Sequence, residues 1–188
     1  MNAANFGMRA LVIFLYLAAI VLANVLTAAI EPILLGQLII PAGSLLIGVT
    51  FILRDLVQNA IGRRNTYYTI AVAMVISGVT SWALGDTLWI TFASAVTFLF
   101  SETADTEIYT RLRLPMSIRV FYSGIAGGIL DSVIFVVIGL SPLGAGFLPW
   151  GLVGYAIVGQ IFAKTGMQVL GAGLVHLVLK MRQPSRQA

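Results

Sequence analysis

The chain has 188 residues, of which 59% are hydrophobic and 10% charged, with a formal net charge of +4. A soluble domain carries about 25% charged residues because its surface must face water, so most of this chain's surface faces something else. With no cysteine and His176 as its one histidine, it has neither a disulfide framework nor a Cys-based or multi-histidine metal site, and no cofactor is expected.

In chain order, Arg9 precedes an apolar run from Leu11 to Ile30. At ~20 residues the run exceeds the ~7–15 of a secretory signal, and further spans follow it, so it reads as a retained first helix. Crossing the ~30 Å hydrocarbon core takes about 20 apolar residues. A second span runs from about Leu38 to Ile61, opening with Pro41-Ala42-Gly43 and closing at Gly62-Arg63-Arg64. The third is Tyr67–Leu84, ended by Gly85-Asp86. A fourth begins near Leu88 and ends in the polar stretch Ser101–Tyr109, before Arg111-Leu112-Arg113-Leu114-Pro115. The fifth is about Ile118–Leu140. The sixth, Leu152–Leu179, is long enough to tilt or bend near Gly171 and Gly173. No linker, low-complexity segment or repeat interrupts the chain. The expectation is an all-α, six-helix membrane bundle forming one transmembrane domain over residues 1–188.

Orientation follows from the basic residues. Arg9 precedes the first span, Arg63 and Arg64 lie in the second loop, and Arg111, Arg113 and Arg119 lie in or beside the fourth. Lys180, Arg182 and Arg186 follow the sixth span, while the first, third and fifth loops contain no Lys or Arg. The positive-inside rule then puts both termini in the cytoplasm, which an odd number of spans would not allow. The arginines are spread over short loops rather than gathered in a patch, so nucleic acid is not an expected partner. The expected surroundings are the lipid bilayer.

A charge at the centre of a membrane helix costs at least ~2.5–3.5 kcal/mol and persists when paired or functional. Arg54, Asp55, Glu102, Asp131 and Lys164 fall inside the spans; Asp105 and Glu107 lie nearer the cytoplasmic interface. Polar neighbours include Asn24, Gln58, Asn59, Gln160 and Gln168. At ~1.5 Å per residue, Asp55 and Glu102 lie ~12–14 Å deep, Asp131 and Gln168 ~18 Å, and Asn24 and Lys164 ~22–24 Å. These six residues from five helices occupy a slab ~12 Å thick. A polar cavity between helices gives them a reason to share it. Three deep carboxylates (Asp55, Glu102, Asp131) against two deep cations (Arg54, Lys164) leave one acid unmatched. Such an acid must be protonated, hydrated or free for a ligand's donor or cation. A set of interhelical ion pairs that only holds the bundle together is the plainer alternative.

Other features read first as packing or interface. Glu107 and Arg111 form an i,i+4 pair. Ala19, Ala23 and Thr27 repeat at four, as do Gly124 and Gly128, the spacing of close helix contacts. Trp82 and Trp89 flank the third loop and Tyr67 and Tyr68 the second, as interfacial belts; Trp89 is also placed to face an outer vestibule. His176 reads as packed or interfacial. One lysine in the last span suggests a retinal site, but there are six spans and no seventh.

The run Pro41-Ala42-Gly43, followed by Phe51-Ile52-Leu53-Arg54-Asp55-Leu56-Val57-Gln58-Asn59-Ala60-Ile61-Gly62-Arg63-Arg64, resembles the second-helix signature of the vitamin-uptake-transporter (VUT) family. So do Phe92-Ala93-Ser94-Ala95 through Phe98, Ser101-Glu102, Asp105 to Arg111, and Gly128-Ile129-Leu130-Asp131-Ser132-Val133-Ile134-Phe135. Gln160 and Lys164 match the general pattern, and Asn24 falls where the family carries a polar residue. The chain departs from it at Asn59 and Ile61, where family members typically have a glutamate and a tyrosine. The best-known members import queuosine precursors, the 7-deazaguanines. The resemblance therefore implies a multi-pass protein of the bacterial inner (cytoplasmic) membrane that imports 7-cyano- or 7-aminomethyl-7-deazaguanine (preQ0 or preQ1).

On that expectation, Asp131 or Glu102 accepts the guanine-like N1–H and N2 amine as a forked pair. Gln160 or Asn24 reads the ring oxygen, and an aromatic ring such as Trp89 stacks on the ligand. Arg54–Asp55 and Lys164 form coupling and gating pairs, and proton coupling would use the unmatched acid. The main rival is a substrate-binding subunit of an energy-coupling-factor transporter, which docks its partner through small residues in helix 1. A structural membrane protein is a further alternative. No Gly-x-Ser-x-Gly, His-Glu-x-x-His or dense Asp cluster supports a membrane enzyme. Monomer and homo-oligomer both remain open.

Overall fold

The computed structural model describes residues 3–181, so Arg182 and Arg186 lie outside the described residues. Among the described residues the fold is all-α apart from one short hairpin. Helix α1 (Ala3–Ala29) is followed by β1 (Ile33–Leu35) and β2 (Leu38–Ile40), then α2 (Gly43–Ile61), α3 (Arg63–Ala83) and α4 (Leu88–Arg111). Helix α5 (Met116–Ile134) continues directly into a π-helical turn, Phe135–Leu140, and α6 (Trp150–Met181) closes the chain.

Four helical segments are long and apolar enough to cross a membrane: Phe6–Ala29, Gly43–Ile61, Met116–Leu140 and Trp150–Met181. Helices α3 and α4 have 21 and 24 residues but are less apolar. The first opens with Arg63-Arg64-Asn65-Thr66, and the second ends with Glu102, Asp105, Glu107 and Arg111. Outward-facing side chains remain apolar: Val72, Val75 and Val79 on α3, and Phe162, Val169, Leu170 and Leu174 on α6, are all exposed. An apolar exterior of this extent suits lipid rather than water.

The second helix does not begin at Leu38. Leu38–Ile40 pairs antiparallel with Ile33–Leu35 instead, and α2 starts at Gly43. Gly36, at φ +63°, makes the two-residue turn with Gln37. Hydropathy cannot separate a short apolar strand from the start of an apolar helix.

Small residues set the helix spacing. A Cβ at Gly43 would collide with the Thr27 Oγ1 and the Ala23 carbonyl oxygen, so α2 rests on the Ala23/Thr27 side of α1. A Cβ at Gly48 would lie 2.7 Å from the Met167 Cβ and 3.2 Å from the Lys164 backbone, which brings α2 against α6. Gly124 and Gly128 of α5 lie against Gln168 and Lys164 of α6. These contacts need small side chains, as in other membrane bundles. Tyr16, Ile20, Val57, Ile70, Ala73 and Phe98 form the apolar core between α1, α2, α3 and α4.

A single residue, Gly62, joins α2 to α3. Its φ of +82° is open to glycine without strain. Its N–H donates to the Gln58 carbonyl at 2.9 Å, and its own carbonyl accepts from the Thr66 N–H at 3.1 Å.

Candidate functional site

Between the helices lies a cavity of about 270 Å³. Its lining descends from Pro32, Asp86 and Phe147, in the three connections free of Lys and Arg, to Asp131, Gln160 and Lys164 in the middle of α5 and α6. Apolar surface dominates its walls, including Phe98 and Phe135.

At the floor, the Lys164 ammonium donates to the Asp131 Oδ2 at 2.5 Å, the Gln160 Oε1 at 2.9 Å and the Ser132 Oγ at 3.0 Å. That uses all three donors of a lysine. The pair is unequally exposed: 2% of the Lys164 side chain but 14% of Asp131 is accessible. Asp131 is thus the half that can meet a solute. Its Oδ1 takes a long contact from the Ser101 hydroxyl at 3.4 Å. The Gln160 Nε2 and the Thr97 Oγ1, both on cavity-lining residues, are buried with no partner. Buried polar atoms of a native protein usually have a partner, so these two have hydrogen-bonding capacity to spare. Asn24 donates to the Ser77 carbonyl and hydroxyl, each at 3.2 Å, which ties α1 to α3 at the cavity wall.

A second polar cluster lies outside the cavity lining. Arg54 reaches three carboxylates: Asp55 at 2.8 Å through Nη1, Glu102 at 3.3 Å through Nε, and Asp105 through Nη2. All four side chains are at most 1% exposed. The Gln58 Oε1 accepts from Arg54 at 2.9 Å, and the Ser123 hydroxyl donates to Asp55 at 3.1 Å. The two clusters meet on one turn of α4, where Ser101 faces Asp131 and Glu102 faces Arg54.

The residues singled out from sequence therefore separate into groups. Asp131, Lys164, Gln160 and Asn24 share the cavity. Arg54 and Asp55 form an ion pair, but in the dry cluster. Glu102, expected as a ligand carboxylate, is buried beside Arg54 because the guanidinium draws it away from the open space. Trp89, expected as a stacking face, is not among the lining residues. Its indole N–H is committed to the Ile138 carbonyl at 2.8 Å, at the edge of the π turn.

Asp105 was placed nearer the interface by its position in the chain, yet it is fully buried. Its i,i+3 spacing from Glu102 was the available signal, since such residues share a helix face. At the end of α4, Glu107 accepts from Arg63 and Arg111 and, at 2.5 Å, from the Tyr67 hydroxyl.

No curated protein and no solved structure matches the chain. A profile of the family described as "putative vitamin uptake transporter" matches residues 81–178, a stretch that contains Glu102, Asp105, Asp131, Gln160 and Lys164. That stretch is more than half of the sequence and supplies most of the cavity floor, and the chain belongs to the vitamin-uptake-transporter family.

Proposed function

We propose that the protein imports a queuosine precursor, a 7-deazaguanine such as preQ0 or preQ1, or a closely related small heterocycle. The observation that carries this reading is the cavity floor. A partly exposed carboxylate, Asp131, sits beside an unpartnered amide donor on Gln160, between apolar walls. Asp131 accepts the forked N1–H and N2 donors of a guanine-like ring. The Gln160 amide donates to the ring oxygen, and Phe98, Phe135 or Phe147 offers a stacking face. A space of about 270 Å³ lies just below the ~300–1,000 Å³ of pockets for drug-sized ligands, which suits a small bicyclic molecule.

In this reading the chain has six spans in the bacterial cytoplasmic membrane, with both termini cytoplasmic. Helices α3 and α4 would measure ~31 and ~36 Å, and the deep charges of α4 are turned into the bundle. The chain contains no cysteine, so single cysteines report orientation directly. Ala28→Cys should react with an impermeant maleimide from outside, and Asn65→Cys only after the cells are opened. The reverse pattern would invert the topology.

An energy-coupling-factor subunit needs a free small-residue face on helix 1 to dock its partner. Here Ala23 is 1% exposed and packs against Gly43 of α2, so part of that face is already taken up inside the bundle, although Thr27 is exposed; this favours a self-sufficient carrier. The test is labelled preQ1 uptake in cells that cannot make deazaguanines and lack the ATPase module. Saturable uptake, competed by unlabelled precursor, is expected. Absence of uptake despite normal membrane levels overturns the proposal.

A further inference from the structure

The Arg54 cluster contains more acid than its guanidinium can neutralise. Asp55, Glu102 and Asp105 surround one cation, and none is more than 1% exposed. Full ionisation would leave two uncompensated negative charges in the middle of the bundle. Arg119 is the next cation, but it packs on the Tyr109 ring, 4.4 Å from its centre, rather than on a carboxylate, and offsets at most one of these charges. At least one negative charge remains. A hydrated metal ion is a poor remedy, because the centre of the cluster already holds the guanidinium. Among the described residues no group of carboxylates or histidines is arranged to hold a metal. A proton is the smallest compensation available to closely spaced carboxylates.

Glu102 is the best placed to take it. Of the three contacts made by Arg54, that to Glu102 is the longest, at 3.3 Å, and runs to Nε alone. Asp55, by contrast, has a 2.8 Å ion pair and the Ser123 hydroxyl, and Asp105 contacts Nη2. Beside Glu102 lies the fully buried Tyr16 hydroxyl of α1. It can donate to Glu102 in either protonation state, and a neutral carboxyl group can also donate back to it. Toward the cavity, Glu102 faces the charge of Asp131, which is paired with Lys164.

We propose that Glu102 is the proton site that couples transport to the proton gradient, a reading that rests on the importer assignment. Because the cluster is closed to water in this structure, the exchange requires the helices to part. A proton then adds to a Glu102 carboxylate oxygen from the cavity side and is later lost to cytoplasmic water, with no change in electron count. Charge balance then links the step to the cavity. A neutral Glu102 lowers the negative potential at Asp131 and leaves the Asp131–Lys164 pair free to engage the solute.

The test has two parts. In purified protein at neutral pH, the carbonyl stretch of an un-ionised carboxylic acid, shifted in D₂O, should be present in the parent. It should be lost in Glu102→Gln and kept in Asp105→Asn. If Glu102→Gln does not fold, Tyr16→Phe serves instead, and a shifted band is expected. Absence of the band in the parent, its loss in Asp105→Asn instead, or its indifference to Tyr16→Phe overturns the site.

In proteoliposomes, Glu102→Gln should lose accumulation of preQ1 driven by an inward proton gradient while keeping preQ1 exchange. Undiminished gradient-driven accumulation overturns the coupling role. Should the parent itself not move preQ1, the importer assignment fails, and the infrared band still decides the protonation of Glu102.

Discussion

Two polar clusters share the interior of this bundle and handle the cost of buried charge in opposite ways. At the cavity floor one ammonium meets one carboxylate, with amides and hydroxyls around them and open space beside Asp131. A few ångströms of helix away, one guanidinium holds three carboxylates with no access to solvent. The difference lies in the cation. Arginine presents its donors in a rigid planar fork that can serve several carboxylates at once, whereas lysine is a compact point charge. A dry knot therefore forms around Arg54, and an adjustable pair around Lys164. The first holds helices together and, with Glu102 as the proposed proton site, trades a proton only when it opens; the second is suited to exchange one partner for another.

The sharpest way to break the contrast is Arg54→Leu. It strands three carboxylates in the bundle, and removing one partner of a buried pair costs ~3–5 kcal/mol. Little folded protein should survive, as judged by size-exclusion profile and melting in detergent, with Arg54→Lys intermediate. A fully stable Arg54→Leu would mean that the two clusters do not differ in kind.

Asp131→Asn should do the reverse. The protein should reach the membrane in normal amount, while the loss of charge-assisted bonds worth ~1.5–3 kcal/mol lowers preQ1 uptake by roughly tenfold to a hundredfold. Unchanged uptake removes Asp131 from the site.

Gly43→Val tests the frame that holds both clusters. Overpacking costs ~1–3 kcal/mol, so a lower melting temperature is expected. Gly173→Val, where nothing lies within 4 Å of the added carbon, should show less. Arg111→Ala, removing an exposed member of the Glu107 group, should change neither melting nor uptake, as is usual for surface ion pairs. A marked loss there would show that the network at the end of α4 is more than an interfacial clasp.

Much of the site could be read from sequence because depth in a membrane is a count along a helix. Asp131, Lys164 and Asn24 fell at similar depths by that count, and all three line one cavity. Depth does not fix rotation about the helix axis, however. Glu102 shares the slab but is turned to Arg54, and Asp105 was missed although it lies one turn beyond Glu102 on the same face. The hairpin at Ile33–Ile40 was hidden for a different reason. Its strands are as apolar as the helices beside them, and only the Gly36-Gln37 turn distinguishes it. Trp89 illustrates a third limit: an aromatic at the edge of a span can face a vestibule or cap a neighbouring helix, and its bond to the Ile138 carbonyl chose the latter.

The one-residue joint at Gly62 has a mechanical consequence. It pins the near ends of α2 and α3 within one residue of each other, while a glycine backbone leaves the angle between the two helices adjustable. Helix α2 bears Arg54, and α3 bears Ser77, which accepts from Asn24 at the cavity wall. A joint of this kind lets the wall swing without lengthening the chain. Spin labels placed beside Gly62 on the two helices should then keep a constant separation on substrate addition, while labels at their far ends are free to part; a change at the near ends would rule out such a pivot.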